Sequence, residues 1–109
     1  MSENINTKIL YSDLKPILPV SLDKINSIHL VGSFANPYKK VDKGDSISDV
    51  DINMDVENDA KSISCIKGKY GNVNIETTRG EFKDRPVQFL TSRQPNVSLD
   101  SFEHNIKLY

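Results

Sequence analysis

Alternation of apolar and polar residues predicts strands from the middle of the chain onward. The run DVDINMDV at 49–56 alternates throughout, which is typical of a strand with one face on a core. The pattern returns in NVNIET at 72–77, and PVQFL at 86–90 follows it after a turn at 79–81. A further strand is predicted in SIHLVGS at 27–33, because a short apolar run that ends in Gly and Ser is typical of a buried strand entering a tight turn.

Apolar spacing also predicts a helix near each end of the sequence. Residues 2–14 have their apolar positions at helical spacing, and two prolines, at 16 and 19, then stop the helix. At the other end, Ser98 can cap a terminal helix that runs through Ile106. Residues 34–48 have no period and are predicted as a loop. Together these elements predict a single domain over 1–109 of the α+β class, a small mixed sheet with helices packed on one face.

Composition limits the kinds of partner. The chain has 14 basic and 15 acidic residues and a net charge of −1, so it has no overall field that would hold nucleic acid or an acidic membrane. A nucleic-acid substrate would have to be held by a local patch or by a partner protein. The single cysteine, Cys65, forms no internal disulfide. With no signal-peptide pattern and no apolar run of membrane-spanning length, the sequence predicts a soluble cytoplasmic protein with no membrane partner.

Two aspartates on one predicted strand are candidate metal ligands. Residues two apart in a strand point to the same face, so Asp49 and Asp51 project their carboxylates together. Carboxylates this close repel each other unless a cation lies between them, and a pair of Mg²⁺ ions about 3.5–4 Å apart would use both. The alternative is a strand whose solvent face is acidic by chance, and Asn53 and Asp55 continue that polar face.

The Gly32-Ser33 pair at the end of the first strand is a candidate phosphate site. Glycine lets the backbone approach a phosphate closely, and the serine hydroxyl and neighbouring amides can donate to its oxygens. By itself the pair is also what an ordinary turn after a strand contains. His29, in the middle of the same strand, is predicted to be a core histidine whose hydrogen bonds are satisfied, and Arg85 is predicted to lie on the surface.

The order of these features resembles the DNA polymerase beta-like nucleotidyltransferase superfamily, in its minimal form. The stretch HLVGSFANPYKKVDKGDSISDVDINMDV at 29–56 has a strand, Gly-Ser, a loop of 15 residues, and Asp-x-Asp on a strand. The resemblance implies transfer of a nucleoside monophosphate from an NTP to a hydroxyl, with release of pyrophosphate. Gly32 and Ser33 would contact the triphosphate, and Asp49 and Asp51 would ligate two Mg²⁺ ions.

The resemblance also carries expectations about acceptors and partners. The acceptor hydroxyl would belong to an RNA end, a protein or a small molecule. Minimal members of the superfamily are often paired with a small helical protein in toxin–antitoxin arrangements. A protein partner or a homodimer is therefore expected here, because 109 residues leave no room for a separate acceptor domain.

The sequence departs from the family pattern at the third carboxylate. That residue is expected in the middle of VQF at 87–89, where this chain has Gln88. A glutamine can coordinate a metal through its carbonyl oxygen but cannot act as a base. Glu76 is the candidate catalytic substitute, because it would share the polar face of a hairpin with Asn74, Asp84 and Gln88. Asp84 is the second candidate.

This departure keeps two other hypotheses open. The first is a catalytically degenerate module of the same fold that acts as an antitoxin, an inhibitor or a regulatory nucleotide binder. Gln88 favours it, whereas Glu76 within ligand distance of the aspartate pair would favour the enzyme. The second is an unrelated α+β interaction domain, in which Gly32 would lie far from Asp51.

Overall fold

Five strands form one mixed sheet, in the order β3-β4-β2-β1-β5. The computed structural model describes residues 7–35, 49–60, 67–76, 82–91 and 99–109. Within these ranges the elements are α1 (Thr7–Leu14), β1 (Ile25–Val31), β2 (Val50–Val56), β3 (Asn72–Glu76), β4 (Phe82–Thr91) and β5 (Asn105–Lys107). The central strand β2 is antiparallel to β1 and parallel to β4, while β3 and β5 add antiparallel edges. This arrangement confirms an α+β protein with a small mixed sheet.

The central strand β2 places one complete side on the hydrophobic core. Its apolar residues Val50, Ile52 and Met54 are fully buried, as the alternation predicted. Ile52 pairs with Leu30 of β1 and with Phe89 of β4, so three strands contribute to one apolar row. Each fully buried side chain of this size contributes about 1.5–3 kcal/mol to the free energy of unfolding. The core therefore fixes which face β2 presents to the rest of the molecule.

Helix α1 covers this apolar face of the sheet. Its residues Leu10 and Leu14 are buried in the core cluster that the strands form. The predicted hairpin faces are also found, because Val73 and Ile75 of β3 are buried while Asn74 pairs with Asp84 at the exposed side. None of the helices in the described ranges is long and apolar enough to cross a membrane.

The prediction of a C-terminal helix is wrong. Residues Leu99–Ser101 form a short 3-10 turn, and the chain then extends into β5, which pairs with β1. The reason is the outer edge of β1, whose backbone groups need partners. Leu108 N donates to Ile28 O at 2.8 Å, and Ile28 N donates to Tyr109 O at 3.0 Å. Residues 105–109 gain these bonds only when they are extended. A short isolated helix is only marginally stable, so the extended conformation is preferred.

The ends of the described chain meet through two tyrosines. The rings of Tyr11 in α1 and Tyr109 after β5 stack with their centroids 5.7 Å apart and an interplanar angle of 13°. An offset stack of this kind contributes about 0.5–1.5 kcal/mol beyond the area that it buries. The stack fixes the position of α1 relative to the β5 edge of the sheet.

Two other predicted elements are described only in part. The N-terminal helix predicted for 2–14 is observed as Thr7–Leu14, and residues 2–6 lie outside the described ranges. The predicted loop at 34–48 begins with Phe34 and Ala35 buried in a 3-10 turn, Gly32–Ala35, and its remainder lies outside the described ranges, as does the turn at 79–81.

His29 is buried, as predicted, but its hydrogen bonds are not all satisfied. It is 9% exposed, and its Nδ1 atom has no hydrogen-bond partner among the described residues. On its face of the sheet it is flanked by Asn53 of β2 and Lys107 of β5. Burial lowers the pKa of His29 below its ordinary value of 6.5, and the charge of Lys107 lowers it further.

We expect this depressed pKa to make the protein less stable in mild acid. As the pH falls below about 6.5, histidine in the unfolded chain binds a proton before His29 in the folded chain does, so the free energy of unfolding decreases. The contribution of His29 to the free energy of unfolding is complete above the pKa of histidine in the unfolded chain. Below that pKa the free energy of unfolding falls by at most about 1.4 kcal/mol per pH unit. Urea unfolding between pH 5 and 7.5 should show this slope in the wild type and a smaller slope in His29→Phe.

The control for this experiment is His104→Gln, since His104 lies in the bend before β5 rather than on the predicted helix. This variant removes the other of the chain's two histidines and so controls for loss of an imidazole in general. Equal slopes in the wild type and His29→Phe would show that His29 is not the group responsible.

Candidate functional site

The Gly-Ser turn lies directly against the acidic strand. The last residue of β1, Val31, pairs with Asp51 of β2, so the next residue, Gly32, begins its turn beside that aspartate. Gly32 has φ +76°, and a Cβ atom placed on it would lie 2.6 Å from Asp51 Oδ2. The carboxylate therefore occupies the space that any side chain at this position would need. The two halves of the sequence motif are adjacent, contrary to the expectation for a coincidental motif.

The second aspartate sits at the start of the same strand. Asp49 directly precedes β2 and its side chain is 26% exposed, while Asp51 is half-buried. Strand alternation puts both on the face opposite the buried Val50 and Ile52. Ser33 is half-buried in the 3-10 turn that follows Gly32. Four of the five residues predicted for the site, Gly32, Ser33, Asp49 and Asp51, thus lie at one end of the β1–β2 pair.

Gln88 occupies the position expected for the third carboxylate. In the parallel pairing of β2 with β4 it is the partner of Asp51, at a strand separation of about 4.8 Å. It is half-buried and lies on the same face of the sheet. The middle residue of VQF at 87–89 is therefore a neighbour of Asp51 in the sheet. An amide oxygen beside Asp51 can contribute a ligand but accepts no proton at neutral pH.

The register of β4 does not bring Glu76 to the aspartate pair. Glu76 pairs with Phe82, whereas Asp51 pairs with Gln88, six residues further along β4 (82 to 88). At about 3.3 Å per residue, this separates the two positions by roughly 20 Å along the sheet. The register therefore does not bring Glu76, the candidate for the third carboxylate, to the aspartate pair.

Asp84 is also remote from the pair. It lies four residues before Gln88 on β4 (84 to 88), which is about 13 Å along the strand. Its Oδ2 atom accepts a hydrogen bond from Asn72 Nδ2 at 2.9 Å, and both residues are exposed. Asp84 therefore has a local role at the β3–β4 edge.

The oxygen donors of the site suit a hard divalent cation. Mg²⁺ in proteins is usually bound by one or two carboxylates, with water and substrate phosphates completing its octahedron. Asp49 and Asp51 provide that number, and because Gly32 has no side chain the Asp51 carboxylate can lie directly beside the Gly-Ser turn. The described residues contain no group of three or more His, Cys, Asp or Glu side chains arranged to hold a metal. If a cation binds here, these described residues would offer it two carboxylates and the Gln88 amide oxygen.

A lysine that the sequence analysis did not select also lies at the site. Lys67 Nζ is 3.8 Å from Asp49 Oδ1, and the two side chains are 50% and 26% exposed. An ion pair this exposed contributes at most about 1 kcal/mol. No sequence signal marks Lys67, because the contact depends on how the segment after β2 returns to the sheet.

Arg85 is buried, so its assignment to the surface is wrong. It is 2% exposed, and its guanidinium carbon lies 5.6 Å from the centroid of the Phe34 ring. A desolvated cation–π contact of this kind contributes about 2 kcal/mol, and it fixes the 3-10 turn Gly32–Ala35 against β4. The sequence did contain a signal for this burial. Alternate residues of the strand are buried, and counting back from Phe89 and Val87 reaches Arg85, but the predicted strand began one residue later, at position 86.

Comparison with protein-family models, curated proteins and solved structures found no match to this chain.

We expect Gly32→Ala to destabilise the fold more than the same change at Gly68. Both glycines have positive φ, +76° and +74°, so both substitutions incur the backbone strain of about 1–2 kcal/mol. Only at Gly32 does the new Cβ meet a neighbour closer than 3.0 Å, because at Gly68 the nearest atom is 3.7 Å away, on Pro86. Chemical denaturation should therefore give a larger free-energy loss for Gly32→Ala, by about 0.5–1.5 kcal/mol, which is the cost of turning the Asp51 carboxylate away from its preferred rotamer.

The double variant Gly32→Ala/Asp51→Ala isolates the clash, since it removes the carboxylate that the Cβ meets. It should lose less free energy of unfolding than the sum of its two single changes. Equal losses for Gly32→Ala and Gly68→Ala would show that Gly32 and Asp51 are not in contact in solution.

Proposed function

We propose that this chain is a metal-dependent nucleotidyltransferase of the DNA polymerase beta-like type, which moves a nucleoside monophosphate from an NTP to a hydroxyl acceptor. One observation carries the proposal: the Asp51 carboxylate packs on the bare Cα of Gly32. A Gly-Ser turn and an Asp-x-Asp strand that are separated by 15 residues in sequence are thereby combined in one site. Phosphate donors and metal ligands are the two parts that this reaction requires.

In the proposed reaction each residue of the site binds or orients a substrate group. The backbone of Gly32 and the hydroxyl of Ser33 hold the triphosphate, and the carboxylates of Asp49 and Asp51 hold two Mg²⁺ ions. When bound, these ions neutralise the phosphate charge and make the acceptor hydroxyl more acidic. Most of the catalysis would come from positioning and charge stabilisation, which a small scaffold can provide.

The chemical step exchanges one phosphorus–oxygen bond for another. The acceptor oxygen forms a bond to the α-phosphorus, and the bond from that phosphorus to the leaving oxygen breaks. Pyrophosphate departs with the electron pair. Gln88 beside Asp51 cannot take the acceptor proton, so the proton passes to water in this proposal.

The acceptor belongs to an RNA end, a protein or a small molecule. A chain with a net charge of −1 has little general attraction for nucleic acid. We therefore propose a cytoplasmic enzyme that works with a protein partner or as a homodimer, as in a toxin–antitoxin pair, so that the second chain helps to present the acceptor.

A second candidate function is a degenerate module that binds nucleotide without transferring it. Gln88 in register with Asp51 favours this function, as does the long distance from Asp51 to Glu76. Both candidates require the same metal and triphosphate site. They differ only in whether the bound nucleotide reacts.

Calorimetric titration should detect binding of NTP with Mg²⁺, and this binding should disappear in the double variant Asp49→Asn/Asp51→Asn. The variant keeps the shape of both side chains but removes the charges that hold the cations. The matched control is Asp55→Asn, an exposed residue on the same face at the far end of β2. It should bind like the wild type. Absence of binding to the folded wild type, with each of the four NTPs tested, would overturn both candidate functions.

Gln88→Asp should raise the affinity for Mg²⁺ by about tenfold, because it places a third carboxylate next to Asp51. It should also lower the melting temperature of the metal-free protein through added repulsion. The control, Ser21→Asp, adds the same charge at an exposed position beyond the opposite end of β1. Unchanged metal affinity in Gln88→Asp would contradict the proposed metal position.

Gln88→Asp also separates the two candidate functions, when NTP, Mg²⁺ and candidate acceptors are supplied and pyrophosphate release is measured. Release by the wild type supports the transferase. Release by Gln88→Asp alone supports a module that lost its chemistry with the third carboxylate.

A further inference from the structure

A short turn between β2 and β3 holds Lys67 beside the candidate site. Residues 67–71, here called the Lys67 turn, are tied to β4 at both ends. Gly68 N donates to Val87 O at 2.9 Å, and Val87 N donates to Gly71 O at 3.2 Å. Val87 is the residue before Gln88. The turn therefore covers the edge of β4 next to the position that pairs with Asp51.

The Lys67 turn is also anchored by packing against the core. The ring of Tyr70 meets the ring of Phe89 edge to face, with centroids 5.8 Å apart and an interplanar angle of 73°. Tyr70 is partly buried against the core cluster. The backbone of the turn is thus fixed, while the Lys67 side chain is 50% exposed and can change its rotamer at little cost. Because the backbone is fixed and the side chain is not, the Lys67 ammonium can move from one anionic partner to another without disturbing the fold.

The ammonium of Lys67 and a metal ion would compete for Asp49. Lys67 Nζ is 3.8 Å from Asp49 Oδ1. A Mg²⁺ ion would approach the same carboxylate to about 2.0–2.1 Å and would repel the ammonium. Lysine is a point-charge binder of phosphate, and the Gly-Ser turn that would hold a triphosphate begins next to Asp51. A displaced Lys67 would therefore have an anion within the same site.

We propose that Lys67 is a positioning residue with two states. Without ligands it pairs with Asp49 and lowers the repulsion between the two aspartates. With metal and nucleotide bound, it moves onto oxygens of the triphosphate. This inference rests on the proposed function, and it names Lys67 as a cation, among the described residues, that binds the phosphate chain.

A consequence is that metal and triphosphate bind with positive coupling. The triphosphate draws Lys67 away from Asp49 and so removes a competitor of the metal, while the metal frees Lys67 for the triphosphate. Each ligand therefore raises the affinity of the other by the same factor.

The Lys67 turn supplies its own matched control. Lys69 lies two residues further on, and its Nζ is 5.3 Å from the centroid of the Tyr70 ring. Lys67→Met and Lys69→Met remove the same charge from the same turn. A general effect of net charge or of turn stability would affect both variants.

The test uses two probes on each folded variant. Mn²⁺ alone, followed by electron paramagnetic resonance, should bind Lys67→Met roughly two- to five-fold more tightly than the wild type, because the competing ion pair is gone. Inorganic tripolyphosphate with Mg²⁺, followed by calorimetry, should bind Lys67→Met about tenfold more weakly, because one charged phosphate contact is lost. Lys69→Met should stay within about twofold of the wild type with both probes. In an Asp49→Asn background, Lys67→Met should no longer tighten Mn²⁺ binding.

In Lys67→Met, tighter binding of Mn²⁺ together with weaker binding of tripolyphosphate is the result that a merely structural role would not produce. If Lys67→Met binds both probes like the wild type, the inference is overturned while the proposed function stands. Weaker binding of both probes by Lys67→Met would also overturn it, because a damaged site explains that result. If the wild type binds neither probe, the proposed function and the inference fail together.

Discussion

The pairing of β2 with both of its neighbours is the constraint on which the rest of the structure depends. The antiparallel pairing with β1 sets Val31 opposite Asp51 and so brings Gly32 against the carboxylate, while the parallel pairing with β4 sets Gln88 on the other side. Slippage of β2 by one residue would move the aspartates to the core face and the buried Ile52 to the site face. The burial of the apolar row therefore enforces the geometry of the site, although no core residue belongs to it.

Much of this arrangement could be predicted from sequence, because alternation reports faces directly. The strands, the acidic pair and the position of Gln88 all follow from residues that lie close together in the chain. The failures concern relations between distant segments. The spacing of apolar residues near the C-terminal end fits a helix, but the open edge of β1 made an extended segment more favourable. Glu76 was expected near the aspartate pair, yet the register pairs it with Phe82, six residues from Gln88 along β4.

Repulsion between carboxylates limits which residues the proposed site can contain in the metal-free protein. Two carboxylates at one strand end would repel each other, and Lys67 lies close enough to Asp49 to offset part of that repulsion. A glutamine in place of a third carboxylate spares the metal-free fold a further buried repulsion, at the cost of a group that could take a proton. Under the proposed function, stability of the metal-free protein thus favours glutamine at position 88, whereas catalysis favours a carboxylate there.

The order of the sheet has a consequence for how the chain is made. Strand β1 lies near the start of the sequence, but its outer edge is covered by β5, whose Asn105 pairs with Val31 and whose flanking Tyr109 stacks on Tyr11. During synthesis the buried residues of β1 and β2 can pair long before β5 leaves the ribosome. In that interval an apolar sheet exposes unpaired amide and carbonyl groups along one side, where another nascent chain can add a strand. The residues of β5, which emerge well after β1 and β2, are therefore the ones that close this route to aggregation.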